Sequence, residues 1–280
     1  MTPNLAINDL PALARAGWTL GERLCTACGG FHRVWGTLRS AGVVGGVEAD
    51  EAVLLPLLRD LTPDGTRAFI GGSADPGILE ILLRAAQGRM LDVTVTDLCP
   101  TPLAVIDALV PQPGLTLTTA VLDITDLDVN SGYDLILSHS LLPFLTPPDR
   151  HEALVRMRRA LAPGGHLVIA ARTAAPLSSE EAADHDAAWL SRAWARISAS
   201  GCDLPGPREA FEPLLGAFAA ERPKRLWDLS TPGAIAAMLQ AAGLDIVSCQ
   251  ESRATTTLNL AGKVKAKQSY MFVTRDSTLA

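Results

Sequence analysis

Through the middle of the chain, short apolar runs alternate with helical stretches, and two segments without that rhythm interrupt it. Ahead of residue 60, Trp18, Leu20, Leu24, Phe31, Val34, Trp35 and Leu38 recur at helical spacing, followed by Val53, Leu54, Leu57 and Leu58. The glycine-rich stretch 42–46 divides this region into at least two helices, and Asp50 stands where it would cap the second. A turn at Pro63-Asp64-Gly65 then changes the pattern. Strands are predicted over 67–70, 91–96, 115–121, 133–138 and 166–171, with helices over 78–86, 102–108 and 149–162 between them and a tight turn at Pro163-Gly164-Gly165. Residues 174–229 hold no convincing strand and read as helices over 180–199 and 208–221. A helix over 231–242, capped by Ser230 or Thr231, precedes strands over 244–250 and 268–274. The return from 250 to 268 is too short for a crossover helix, so these last two strands are expected to be antiparallel.

Strands alternating with helices specify an α/β fold, a mostly parallel sheet with helices on both faces. The 280 residues divide into an N-terminal helical cap (1–60), a sheet module (61–173 and 230–280) and an inserted helical lid (174–229). Composition narrows the function. The chain is 48% hydrophobic and 19% charged with a net charge of −6, which excludes a disordered chain and offers no bulk attraction for nucleic acid or an anionic membrane. No apolar run approaches the ~18 residues of a membrane span, and the N-terminus lacks the pattern of a signal peptide. Five cysteines, an odd number, suit a reducing cytoplasm better than a disulfide framework. The expected partner is a small-molecule substrate, with room for a homodimer.

Three strand ends carry candidate chemistry. The first opens into Gly71-Gly72-Ser73-Ala74-Asp75-Pro76-Gly77, a glycine-rich turn running into a helix N-terminus, where backbone can approach a ligand. The second ends at Asp97, where a carboxylate can accept both hydroxyls of a ribose or, more simply, cap a helix. The third ends at Leu122-Asp123-Ile124, where an acid can meet an adenine amino group while its apolar neighbour packs on the ring.

These stretches, with Tyr133-Asp134-Leu135-Ile136-Leu137-Ser138-His139 and Leu161-Ala162-Pro163-Gly164-Gly165-His166-Leu167-Val168-Ile169, resemble the class I S-adenosylmethionine-dependent methyltransferases over residues 64–172, and in outline over 231–274. The resemblance implies a Rossmann-like, seven-stranded sheet with a reversed last strand. It implies S-adenosyl-L-methionine on Gly71, Gly72, Ser73 and Asp75, its ribose at Asp97 and Leu98, its adenine at Asp123 and Ile124, and its methionine end above Ser138. The chain departs from the family at its first loop. Ile70 stands where an acid is expected, and Ala74 and Pro76 alter the glycine spacing, with Asp75 available as a substitute charge. That departure leaves open a cyclisation or lyase step on the same cofactor, or a non-catalytic cofactor-binding scaffold.

His139, at a strand end facing the substrate side, is the first candidate general base, and His185, between Asp184 and Asp186, is the second. Cys25, Cys28 and His32 would share one face of a helix and could hold a metal, but a closed site needs a fourth ligand and no second Cys-x-x-Cys exists. No metal is therefore expected. All five tryptophans lie outside the sheet module, as anchors for lid helices or as lining of a pocket.

Overall fold

A computed structural model describes residues 4–26, 28–130, 132–173, 179–221, 229–260 and 263–279, with side chains left undescribed at 179–187, 221, 253–260, 263–267 and 279. The order is α1 (Leu10–Leu24), α2 (Phe31–Ser40), α3 (Glu51–Leu61), β1 (Thr66–Gly71), α4 (Gly77–Ala86), β2 (Leu91–Asp97), α5 (Pro100–Asp107), β3 (Leu115–Val121), β4 (Tyr133–His139), α6 (Pro147–Arg159), β5 (Leu161–Thr173), α7 (Ser179–Ser200), α8 (Arg208–Glu221), α9 (Pro232–Ala241), β6 (Leu244–Leu260) and β7 (Lys263–Asp276). The sheet runs β3-β2-β1-β4-β5-β7-β6, parallel except for β7, which is antiparallel to both β5 and β6. The expected reversed strand is thus β7.

The central strands are buried on both faces, which is why they read as nearly continuous apolar runs. Ala68, Ile70, Val93, Val95, Leu135 and Leu137 point to one face, where α3, α4 and α5 cover them. Phe69, Ile136, Leu167, Ile169 and Phe272 point to the other, against α6 and α9. Thr231 caps α9 by accepting the Ala234 N–H. The Pro163-Gly164-Gly165 turn is instead a bulge inside β5, where the register with β4 shifts between Tyr133 and Leu135. A side chain at Gly165 would meet the Tyr133 carbonyl at 2.7 Å, so glycine is required by that close approach.

A third core lies off the sheet. Trp18, Val34 and Leu38 from α1 and α2 pack with Trp189, Ile197, Phe211, Leu215 and Phe218 from α7 and α8. Trp18 stacks on Phe211 at 5.7 Å, and Phe31 and Trp189 stack on Phe218 at 4.9 and 5.6 Å. Trp18, Trp35, Trp189 and Trp194 are therefore anchors that join α1 and α2 to α7 and α8 as one helical layer, and Trp227 lies outside the described residues. By contrast α3, counted with the cap in sequence, contributes Leu54 and Leu58 to the sheet core.

Helices α1 and α2 cross where Gly36 meets Ala14. A methyl group at Gly36 would stand 2.7 Å from the Ala14 Cα, which is backbone and has little freedom to move. Gly216 in α8 has open space around its Cβ position. Gly36→Ala is expected to lower unfolding free energy by about 1–3 kcal/mol through overpacking. Gly216→Ala should raise it by about 0.5–1 kcal/mol through helix propensity. Urea unfolding of both variants beside the parent checks the contrast.

Candidate functional site

The strand order reverses between β1 and β4, and there the carboxyl ends of neighbouring strands diverge into a crevice. Gly71 of β1 pairs with Ser138 of β4 on one side and with Thr96 of β2 on the other. The chain leaves β1 with Gly72 at φ +74° and both the Gly72 and Ser73 N–H groups donating to the Thr96 carbonyl. Ile124 lies beneath this turn, 3.1 Å from where a Gly71 Cβ would stand.

Asp97, at the end of β2, accepts the Cys99 N–H at 2.8 Å, and its carboxyl is pushed up by burial against the pull of nearby His32. Leu98 is exposed beside it. Asp123 is exposed and accepts from the Thr125 N–H and hydroxyl. The structure therefore brings Gly71, Gly72, Ser73, Asp97, Ile124 and Ser138 to one edge of the sheet. Asp75 is otherwise engaged. It accepts the Trp35 indole N–H and the Gly77 N–H and pairs with Arg39 at 2.7 Å. Arg39 is buried between Asp75 and Glu48. Burial alone would lower its pKa, but the two carboxylates, Asp75 foremost, raise it. Asp75 thus fastens the cap to the glycine turn. A cleft runs beside this junction, lined among others by Leu13, Trp35, Arg39, Asp75, Thr101 and Val105.

At the end of β4, His139 Nε2 lies 2.9 Å from Asp50 Oδ2. Asp50 is fully buried and also accepts the Ser269 hydroxyl at 3.2 Å. Burial would raise its carboxyl, but His139 chiefly, with Ser252 and Arg172, holds it below the usual carboxylate range. The expectation that Asp50 caps a helix is corrected here. It occupies the position before α3, yet its side chain makes no cap hydrogen bond and turns to the imidazole instead. Nothing local in the sequence marks that role, because the partners are 89 residues apart. Ser140 follows His139 at φ +58°, an uncommon conformation for a residue with a side chain. The hydroxyls of Ser138 and Ser140 are buried with no hydrogen-bond partner. His185 lies outside the described side chains.

The cysteine motif is corrected in two respects. Cys25 ends α1 and α2 begins at Phe31, so Cys25, Cys28 and His32 gather through the turn between two helices rather than on one helix face. A fourth candidate ligand is also present. Cys99, at the N-cap position of α5, brings its sulfur within 3.8 Å of Cys25 Sγ and 3.7 Å of Cys28 Sγ. The ligand atoms of all four residues lie within 4.8 Å of one another. The neighbouring groups, Cys25 first and then Cys99, hold the Cys28 thiol well below its ordinary range. His32, despite burial, is pushed up to about 9 by the sulfurs of Cys28 and Cys99.

Class I cofactor binding needs hydroxyl and backbone donors at the β1/β4 crevice and an acid at the end of β2. The unpartnered Ser138 and Ser140 hydroxyls and the half-buried Asp97 fit that requirement. The acid usual at the end of β1 is replaced by buried Ile70. No helix among the described residues is long and apolar enough to cross a membrane.

The family model described as a methyltransferase domain matches residues 76–169. No curated protein matches the sequence. Among solved structures, the [4+2]-cyclase SpnF superposes with a TM-score of 0.50 at 14% identity, covering 80% of this chain and 79% of that one. A candidate methyltransferase from Bacillus halodurans C-125 superposes with a TM-score of 0.50 at 11% identity, covering 81% and 98%. The N-methyltransferase NodS from Bradyrhizobium japonicum WM9, determined with S-adenosyl-L-homocysteine, gives 0.43 at 16% identity, covering 78% and 83%. The sheet order with its reversed strand is the Rossmann-like fold of these structures, and residues 76–169 match a methyltransferase domain.

Proposed function

We propose that this protein methylates a small molecule held between the carboxyl edge of the sheet and the helical layer of α1, α2, α7 and α8, with His139 as general base. The observation that carries the reading is the His139–Asp50 pair at the end of β4, one residue past Ser138 in the crevice. Bound S-adenosyl-L-methionine supplies an electrophilic methyl group on a cationic sulfur. Asp97 and Leu98 hold its ribose, Asp123 and Ile124 its adenine, and the turn Gly71-Gly72-Ser73 with the Ser138 hydroxyl its amino-acid end.

The chain's own work is alignment and proton handling, because an in-line displacement needs a positioned acceptor and little else. A neutral His139 takes the proton of an acceptor hydroxyl or amine as that atom attacks. Asp50, buried and ionised, fixes the ring and balances the positive charge that His139 then carries, as a carboxylate does behind a catalytic histidine. Asp50 is thus a positioning residue. The cap and insert exclude water, and Arg172, close enough to Asp50 to help hold it ionised, is available to an acidic group on the substrate.

A second reading is a reaction on bound substrate without methyl transfer. It is favoured by Ile70 in place of the usual acid and by the engagement of Asp75 with Arg39 and Trp35 rather than with a ligand. Incubation with methyl-labelled S-adenosyl-L-methionine and an extract of small molecules separates the two. Label in a small molecule with stoichiometric S-adenosyl-L-homocysteine is expected. Substrate conversion with the label left on the cofactor, or methylthioadenosine as product, would exclude methyl transfer.

Asp97→Ala is expected to weaken cofactor binding at least tenfold, about 1.4 kcal/mol, by calorimetry. Unchanged affinity would mean that the ribose lies elsewhere. His139→Gln should lower kcat by ~10²–10⁴ while leaving cofactor affinity near that of the parent. Asp50→Asn should lower kcat in the same direction by less, with KM for the acceptor little changed. A kcat insensitive to both substitutions would remove the base from the scheme.

A further inference from the structure

The geometry points to a closed tetrahedral zinc site formed by Cys25, Cys28, His32 and Cys99, which ties the N-terminal cap to the β2–α5 loop. This site lies apart from the proposed base and does not depend on which acceptor is methylated.

The first support is the donor set. Three thiols and an imidazole are the ligands of structural zinc, and soft sulfur donors in a tetrahedron favour it over magnesium or calcium. The second is spacing. Zinc–sulfur bonds of ~2.3 Å at tetrahedral angles put the sulfurs about 3.8 Å apart. The Cys25–Cys99 and Cys28–Cys99 separations are 3.8 and 3.7 Å. These are far beyond the ~2.05 Å of a disulfide. The four ligand atoms thus lie within 4.8 Å of one another with no disulfide among them.

The third support is the histidine. His32 Nδ1 is buried with no hydrogen-bond partner, while Nε2 lies 3.9 Å from Asp97 Oδ1. Coordination through Nδ1 would satisfy the orphaned nitrogen and leave Nε2–H facing the carboxylate, the arrangement by which acids orient metal-bound histidines. Thr101 Oγ1, 3.0 Å from Cys25 Sγ, can donate to that thiolate.

The ligands come from the α1–α2 turn, the first turn of α2 and the loop after β2, segments about 70 residues apart in sequence. A metal there links cap and sheet across a long loop and fixes Asp97, two residues before Cys99. On binding, each coordinating thiol gives up its proton and the imidazole ligates as the neutral base, so uptake releases protons and no electrons are exchanged.

The test uses the full chain purified under reducing conditions. Elemental analysis after dialysis is expected to find one zinc per chain. Titration of the metal-free protein with Co²⁺ should give the intense visible bands and sulfur-to-cobalt charge-transfer absorption of a tetrahedral thiolate site, displaced by one equivalent of Zn²⁺. Cys28→Ser should abolish this spectrum, whereas Cys249→Ser, at an exposed thiol outside the cluster, should leave it intact. Asp97→Asn should weaken zinc binding about tenfold or more. Should Cys28→Ser fail to fold, the parent's cobalt spectrum alone decides. A weak octahedral spectrum, no stoichiometric binding, or a Cys25–Cys99 disulfide in its place would overturn the site. Chelation of the parent is expected to speed amide exchange over 10–40 while leaving β4 unchanged, and equal exchange with and without metal would overturn the link between cap and sheet.

Discussion

The parallel pairing of β1 with β4 is the constraint on which the site depends. Because β1 has β2 on one side and β4 on the other, the loops leaving their carboxyl ends turn away from one another and leave a crevice that no side chain of the sheet can fill. The register sets Gly71 beside both Thr96 and Ser138, so the glycine turn, the acid of β2 and the histidine of β4 arrive at one edge without any of them being near another in sequence. A slip of one residue would send Phe69 and Ile136 to the opposite face and split the two cores that hold the strands. Burial on both faces therefore fixes chemistry as well as stability.

Over that edge sits a helical layer of two separate origins. Its own core is aromatic, while its attachment to the sheet is polar: Arg39 between Glu48 and Asp75, and Trp35 on Asp75. A buried arginine ion pair contributes little over an apolar contact of the same volume, but removing Arg39 would leave the largely buried Asp75 carboxylate without its counter-charge. Such a junction specifies one seating of the cap rather than many.

Much of the sheet was legible in the sequence because its signals are local. Runs such as Leu135–Leu137 and Leu167–Ala171 are apolar for reasons contained within each strand, and the short link between the last two strands decided their direction. The strand-end residues could be read for the same reason. Asp50 and Cys99 could not. Each lies in a segment with a sufficient local explanation, a helix start for one and the loop after Asp97 for the other, and their partners come from 89 and 71–74 residues away. The spacing of Cys25, Cys28 and His32 fits one helix face, so it does not show the turn that gathers them, and Cys99 stands outside any Cys-x-x-Cys pattern that would mark it as their neighbour.

The stacking of Phe31 on Phe218 joins the two ends of the helical layer across most of the chain. During synthesis at 5–20 residues per second, roughly 10–40 s separate the appearance of these two rings. Throughout that interval Trp18, Phe31 and Trp35 have no aromatic partner from the insert, although the loop residues that meet Arg39 and the α1–α2 turn, Asp75 and Cys99, emerge early in it. The nascent chain therefore presents an unfinished apolar surface at its leading end. Holding that surface against half a sheet, by charge and by sulfur, limits what else it can meet before the rest of the layer emerges.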